Sequence, residues 1–107
     1  MHVERIKFER TGGFAGTRIA ADIEPDKLSE EQNQALIDVL DALDFPELPE
    51  HLMSDSPMPD EFTYTITVEG EDWKHTVVTG DSSAPEKMQE LLQMLNRIAR
   101  KRLRKRH

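Results

Sequence analysis

Four histidines, at positions 2, 51, 75 and 107, are the side chains of this 107-residue chain best suited to bind a metal or shuttle a proton. None has a partner at metal-ligand spacing, and no His-Glu-x-x-His stands anywhere in the chain. His75 therefore reads as a packed or surface imidazole. The serines at 29, 54, 56, 82 and 83 fall at cap or loop positions, without a Gly-x-Ser-x-Gly elbow around any of them. Cysteine is absent, so there is no thiolate zinc site, disulfide or thiol nucleophile. Asp38/Asp41 and Asp41/Asp44 are carboxylate pairs three residues apart, close enough to be neighbours on a helix. No nearby cation or cleft-forming motif accompanies them. The inventory points away from an enzyme and requires no cofactor or metal.

Two features remain. The first is Thr11-Gly12-Gly13-Phe14-Ala15-Gly16. It lacks the Lys and Ser/Thr of a phosphate-binding loop and the strand-to-helix setting of a dinucleotide fingerprint. An aromatic residue flanked by small ones can fold back into the core while glycines meet turn dihedrals, or it can project as an anchor into a partner's pocket.

The second feature is the basic end. The chain carries 14 Lys+Arg against 21 Asp+Glu, net −7. Seven of the basic residues lie between Arg97 and His107, where no acid occurs, so residues 1–96 carry a net of −14. Basic side chains complement the negative end of a helix dipole, and a solvated helix end accounts for part of this run. It could also bind anionic partners, or the acidic face of another copy. Nucleic acid is disfavoured by the acidic body and by the absence of aromatics among the basic residues.

The elements that position these features are legible from periodicity. Ile6 and Phe8 alternate with Arg5, Lys7 and Glu9, and Ile19, Ala21 and Ile23 alternate with Arg18, Ala20 and Asp22. This predicts two strands joined by the Gly-rich connection as an antiparallel hairpin. Ser29-Glu30-Glu31-Gln32 is a capping box, after which Ala35, Leu36, Val39, Leu40 and Leu43 mark one helical face. Pro46 and Pro49 end that helix. Four prolines make 45–60 irregular, its first part pinned to the core by Phe45, Leu48 and Leu52. Phe62, Tyr64, Ile66 and Val68 alternate with Thr63, Thr65 and Thr67. Gly70-Glu71-Asp72 turns the chain into a fourth strand carrying Trp73, His75, Val77 and Thr79. Ser83-Ala84-Pro85-Glu86 then opens a long amphipathic helix through Met88, Leu91, Leu92, Leu95, Ile98 and Ala99.

The order ββαββα predicts an α+β fold: a four-stranded antiparallel sheet with two helices on one face and the threonine face wet. Residues 1–99 form one domain of a size that supports a single modest core, and 100–107 form a basic tail, either a helix extension or disordered. No apolar run reaches the length of a membrane span, and the charged N-terminus does not resemble a signal peptide. A cytoplasmic protein that is monomeric or weakly self-associating is expected.

Several motifs together resemble the emfourin family of small bacterial inhibitors of thermolysin-like zinc metallopeptidases of the protealysin type. They are Thr11-Gly-Gly-Phe-Ala-Gly16 after a strand; Leu43-Asp-Phe-Pro-Glu-Leu-Pro49 closing a helix; Phe62-Thr-Tyr-Thr-Ile-Thr-Val68; His75-Thr-Val77; and Ala84-Pro-Glu86 before the last helix. The family more often has Ser where Thr11 stands, and the basic tail is not part of its pattern. The resemblance implies a non-catalytic protein that blocks a peptidase cleft, the metal belonging to the enzyme. Thermolysin-like enzymes favour a bulky apolar side chain just after the cleaved bond, which suits Phe14. Residues Thr11, Gly12, Gly13, Phe14, Ala15 and Gly16 are thus the expected peptidase contact. The connections Gly70-Glu71-Asp72 and Gly80-Asp81-Ser82 are candidates for a second one. The competing expectation is an adaptor or assembly protein acting through its basic tail.

Overall fold

The computed structural model describes residues 2–12, 17–52, 61–81 and 84–105. Among these residues five strands and two α-helices follow one another as β1 (Arg5–Gly12), β2 (Thr17–Ile23), α1 (Glu30–Leu43), β3 (His51–Leu52), β4 (Phe62–Glu69), β5 (Lys74–Gly80) and α2 (Glu86–Lys105), with short 3-10 turns at Pro25–Lys27 and Phe45–Glu47. The strands form one sheet in the order β2-β1-β4-β5-β3. β1 pairs antiparallel with both β2 and β4, and β4 pairs antiparallel with β5.

The α+β class expected from periodicity is correct, but the four-stranded antiparallel sheet is not. A fifth strand, β3, runs parallel to β5 through His51↔Val78 and Leu52↔Thr79, which makes the sheet mixed. Two residues are too few to display a period of two, so the Pro-rich segment hid this strand. Residues 48–52 cover the open edge of β5. Val78 donates its amide to the Glu50 carbonyl (2.8 Å), Thr79 Oγ1 donates to the Leu52 carbonyl (3.1 Å), and His75 Nε2 donates to the Leu48 carbonyl (2.7 Å). Covering an edge with a short irregular segment removes a template for unwanted strand pairing. His75 is packed as expected, its ring edge-on to Phe45 at 5.7 Å.

The register explains why one face is buried. Phe8↔Ile66, Ile6↔Val68 and Ile66↔Val77 stack apolar side chains in rows across β1, β4 and β5. These rows meet Leu36 and Leu40 of α1 and Met88, Leu91, Leu92, Leu95, Ile98 and Ala99 of α2 in a single core. The alternate threonines of β4 are only half-buried, and on that face Thr67 and Thr76 share a hydrogen bond of 2.9 Å. Ser29 caps α1 as its sequence predicts, its Oγ accepting from the Gln32 amide at 3.1 Å. Asp44, in the left-handed region (φ 52), ends that helix ahead of Pro46. α2 continues without interruption past residue 99 to Lys105, so 100–105 extend the helix.

Candidate functional site

The last pair of the β1–β2 ladder is Gly12↔Thr17, which leaves four residues, 13–16, to join the strands. The hairpin expected around the Gly-rich motif is therefore present. Gly12 closes β1 with φ +103, a conformation that side-chain-bearing residues rarely adopt. A Cβ built there would stand 2.9 Å from the Glu61 carbonyl oxygen, so the position is closed to larger residues by sterics as well. Thr11 is half-buried and pairs with Arg18 on one side and Thr63 on the other. Gly13, Phe14, Ala15 and Gly16 lie outside the described residues.

The two candidate second contacts separate. Gly80 is buried and pairs with Thr63, and Gly12 pairs with the adjacent Phe62, so Gly80 and Asp81 share the sheet end that carries the β1–β2 connection. The turn at Gly70, Glu71 and Asp72 follows Glu69, which pairs with Arg5 at the far end of β1. Seven strand steps of about 3.3 Å put it roughly 23 Å away. Its form is set by Trp73, whose carbonyl accepts from the Gly70 amide (2.8 Å) and whose indole packs where a Gly70 Cβ would be. Ser82 lies outside the described residues.

At the Gly12 end, a polar cluster sits on the inner face of the sheet. Asp81 is its hub: Oδ1 accepts from the Tyr64 hydroxyl at 2.7 Å and Oδ2 from the Phe62 amide at 3.1 Å. One carboxylate thereby ties the segment after β5 to two residues of β4. Burial, with Asp81 second, pushes the Tyr64 hydroxyl up from 10.0 to about 12, so it is held as a neutral donor. Arg10 lays its guanidinium over the Phe62 ring (4.4 Å) and donates Nη1 to Asn96 Oδ1 of α2 (3.3 Å). Arg10 Nε is buried without a hydrogen-bond partner among the described residues. Beside this cluster Tyr64, Asp81, Gln89, Leu92, Gln93 and Asn96 line a small concavity of about 180 Å³.

Neither spacing nor motif marks Arg10 or Asn96 as a site residue, and alternation places Tyr64 only on one face of its strand. One signal was available for Arg10: it continues the inward phase of Ile6 and Phe8, where a charged residue is out of place. Its contact with Asn96, 86 positions away, has no local signature. Among the described residues, no group of three or more His, Cys, Asp or Glu side chains could hold a metal ion. No helix among them is long and apolar enough to cross a membrane.

A protein-family model described as Emfourin matches residues 8–96. Comparison with curated proteins and with solved structures gives no match.

Proposed function

The chain belongs to the emfourin family, and from that premise we propose that it inhibits a thermolysin-like zinc metallopeptidase by inserting the β1–β2 connection into the enzyme's cleft. The observation that carries this reading is the construction of the sheet end. A four-residue connection springs from a glycine with φ +103 that has no room for a side chain. A second segment is tied beside it by the bonds of Asp81 to Tyr64 and Phe62. A short loop on a hydrogen-bonded frame loses little conformational entropy on binding, which is what an inhibitor that must outcompete substrate requires.

In this reading Phe14 is the apolar anchor, filling the pocket that receives the residue after a scissile bond. Gly80 and Asp81 stand at the same end and supply the second contact that keeps substrate out. Gly70, Glu71 and Asp72 stand at the opposite end of the sheet and carry no contact in this reading. The inhibitor contributes no catalytic group, and the only metal in the complex is the enzyme's.

The test is an inhibition assay of a thermolysin-like peptidase with wild type and Phe14→Ala. Inhibition by wild type that weakens at least tenfold in the variant, about 1.4 kcal/mol or more, is the expected outcome. Equal inhibition by both proteins would reject the anchor. Activity untouched by either would reject the inhibitory function.

A further inference from the structure

α1 and α2 lie side by side over the sheet; the outward face of α1 is acidic, and the second half of the outward face of α2 is basic. The exposed side of α1 presents Glu30, Glu31, Asp38 and Asp41, and its fourteen residues include no Lys or Arg. These four acids fall within about 100° of one another around a 3.6-residue helix, so they form one stripe. The exposed side of α2 carries Glu86 and Glu90 in its first half, then Arg97, Arg100 and Lys101 at three- and four-residue steps, a basic stripe confined to its second half. Earlier in the same helix Lys87 pairs with Glu90 at 3.2 Å, whereas Arg97, Arg100 and Lys101 form no ion pair among the described residues. Between the helices runs a groove of about 210 Å³, floored by Ala35, Leu36, Met94 and Ile98, with Glu31 on one wall and Arg97 on the other.

We propose that this helical layer is a self-association surface whose occupant is a second copy of the chain. Two layers can meet face to face about a two-fold axis in two simple ways. An axis across the helices sets acid on acid and base on base. An axis along the groove sets α1 of each copy over α2 of the other. Only the second arrangement sets the Glu30/Glu31 end of the acidic stripe against the basic stripe of the other copy, and it closes as a dimer with every contact made twice. Because Glu31 and Arg97 face each other across one groove, they lie at the same height along it. The axis therefore brings Glu31 of each copy to Arg97 of the other.

The apolar groove floor adds contact area. The net charge of −7 on each copy opposes approach, but at about 0.1 M salt the Debye length is near 10 Å. Distant charges are then screened while those across the interface are not. Exposed ion pairs are individually weak, so the dimer is weak, with a dissociation constant on the order of 100 μM. The family match ends at residue 96, so the acidic stripe lies within the matched region and the basic stripe begins one position beyond it.

Charge exchange tests the proposal without any peptidase. Sedimentation equilibrium at about 0.1 M salt, over concentrations from about 20 to about 500 μM, would compare three proteins and one mixture. They are wild type, the variant Glu30→Lys/Glu31→Lys/Asp38→Lys, the variant Arg97→Glu/Arg100→Glu/Lys101→Glu, and the two variants together. The expected result is a wild-type dimer, each variant alone at least tenfold weaker, and a heterodimer in the mixture. Both variant chains remain net negative, so attraction of net charges cannot produce that heterodimer. Circular dichroism of each variant confirms that it is folded. A monomeric wild type overturns the proposal, as does a dimer indifferent to either variant, or folded variants that fail to pair with each other.

Discussion

The Tyr64 hydroxyl donates to Asp81 Oδ1 at 2.7 Å, and the other oxygen of the same carboxylate accepts from the Phe62 amide. This pair joins the middle of the sheet to the segment leaving β5. It does so beside the connection whose contact with a peptidase we propose.

Asp81→Asn keeps the shape of the side chain but turns an amide NH2 toward one of two donors. One hydrogen bond is lost and a donor faces a donor. Loss of about 1–2 kcal/mol in denaturant unfolding is expected, with a further loss of inhibition larger than stability alone explains. Inhibition that falls only in step with the folded fraction would mean that Asp81 does not frame the contact.

The raised Tyr64 pKa has a consequence for alkaline stability. The hydroxyl is neutral in the folded state up to about 12, whereas an unfolded tyrosine ionises near 10. The stabilisation is fully present below the unfolded value and is lost as pH rises through the folded one. Between about pH 9 and about pH 11 the wild type should lose stability on the order of 1 kcal/mol that Tyr64→Phe does not. Tyr64 is the single tyrosine, so its ionisation can be followed directly by ultraviolet absorbance. A midpoint near 10 in the folded protein would contradict the buried donor.

Gly12→Ala places a Cβ 2.9 Å from the Glu61 carbonyl and forces an L-residue to φ +103. Destabilisation by about 1–3 kcal/mol is expected from the backbone and the contact together. Displacement of the β1–β2 connection should also weaken inhibition. Unchanged chemical denaturation would show that the strand end relaxes freely.

Ser29→Ala removes the acceptor of the Gln32 amide at the start of α1. A loss of about 1 kcal/mol is expected, with no change in inhibition, because the cap is remote from the Gly12 end. This variant is a control: reduced inhibition at matched folded fraction would tie the helix layer to the peptidase contact.

Much of the fold is local and was legible. Alternation in 5–8, 62–69 and 74–79 assigns each side chain to a sheet face, and the capping box and three-to-four spacing place α1 and its buried stripe. What periodicity cannot report is which strand ends share one side of the molecule. The turn at Gly70–Asp72 and the connection at Gly80–Ser82 are both three-residue runs that open on Gly and contain acidic residues. Yet the antiparallel register sends one to the Arg5 end of β1 and the other to the Gly12 end.

The chain's own residue pattern thus determined the α+β class, the inward faces, the absence of catalytic motifs and the Gly-rich hairpin. Tertiary structure alone decided the rest. It added β3 to the edge of β5, since a two-residue strand exists only through its partner. It brought Arg10 to Asn96 and Tyr64 to Asp81, because their partners are supplied by other elements packed on the sheet. It also set an acidic helix beside a basic helix end. Charge along the chain records how many residues of each sign exist, and only the packing of α1 against α2 turns that separation into adjoining stripes.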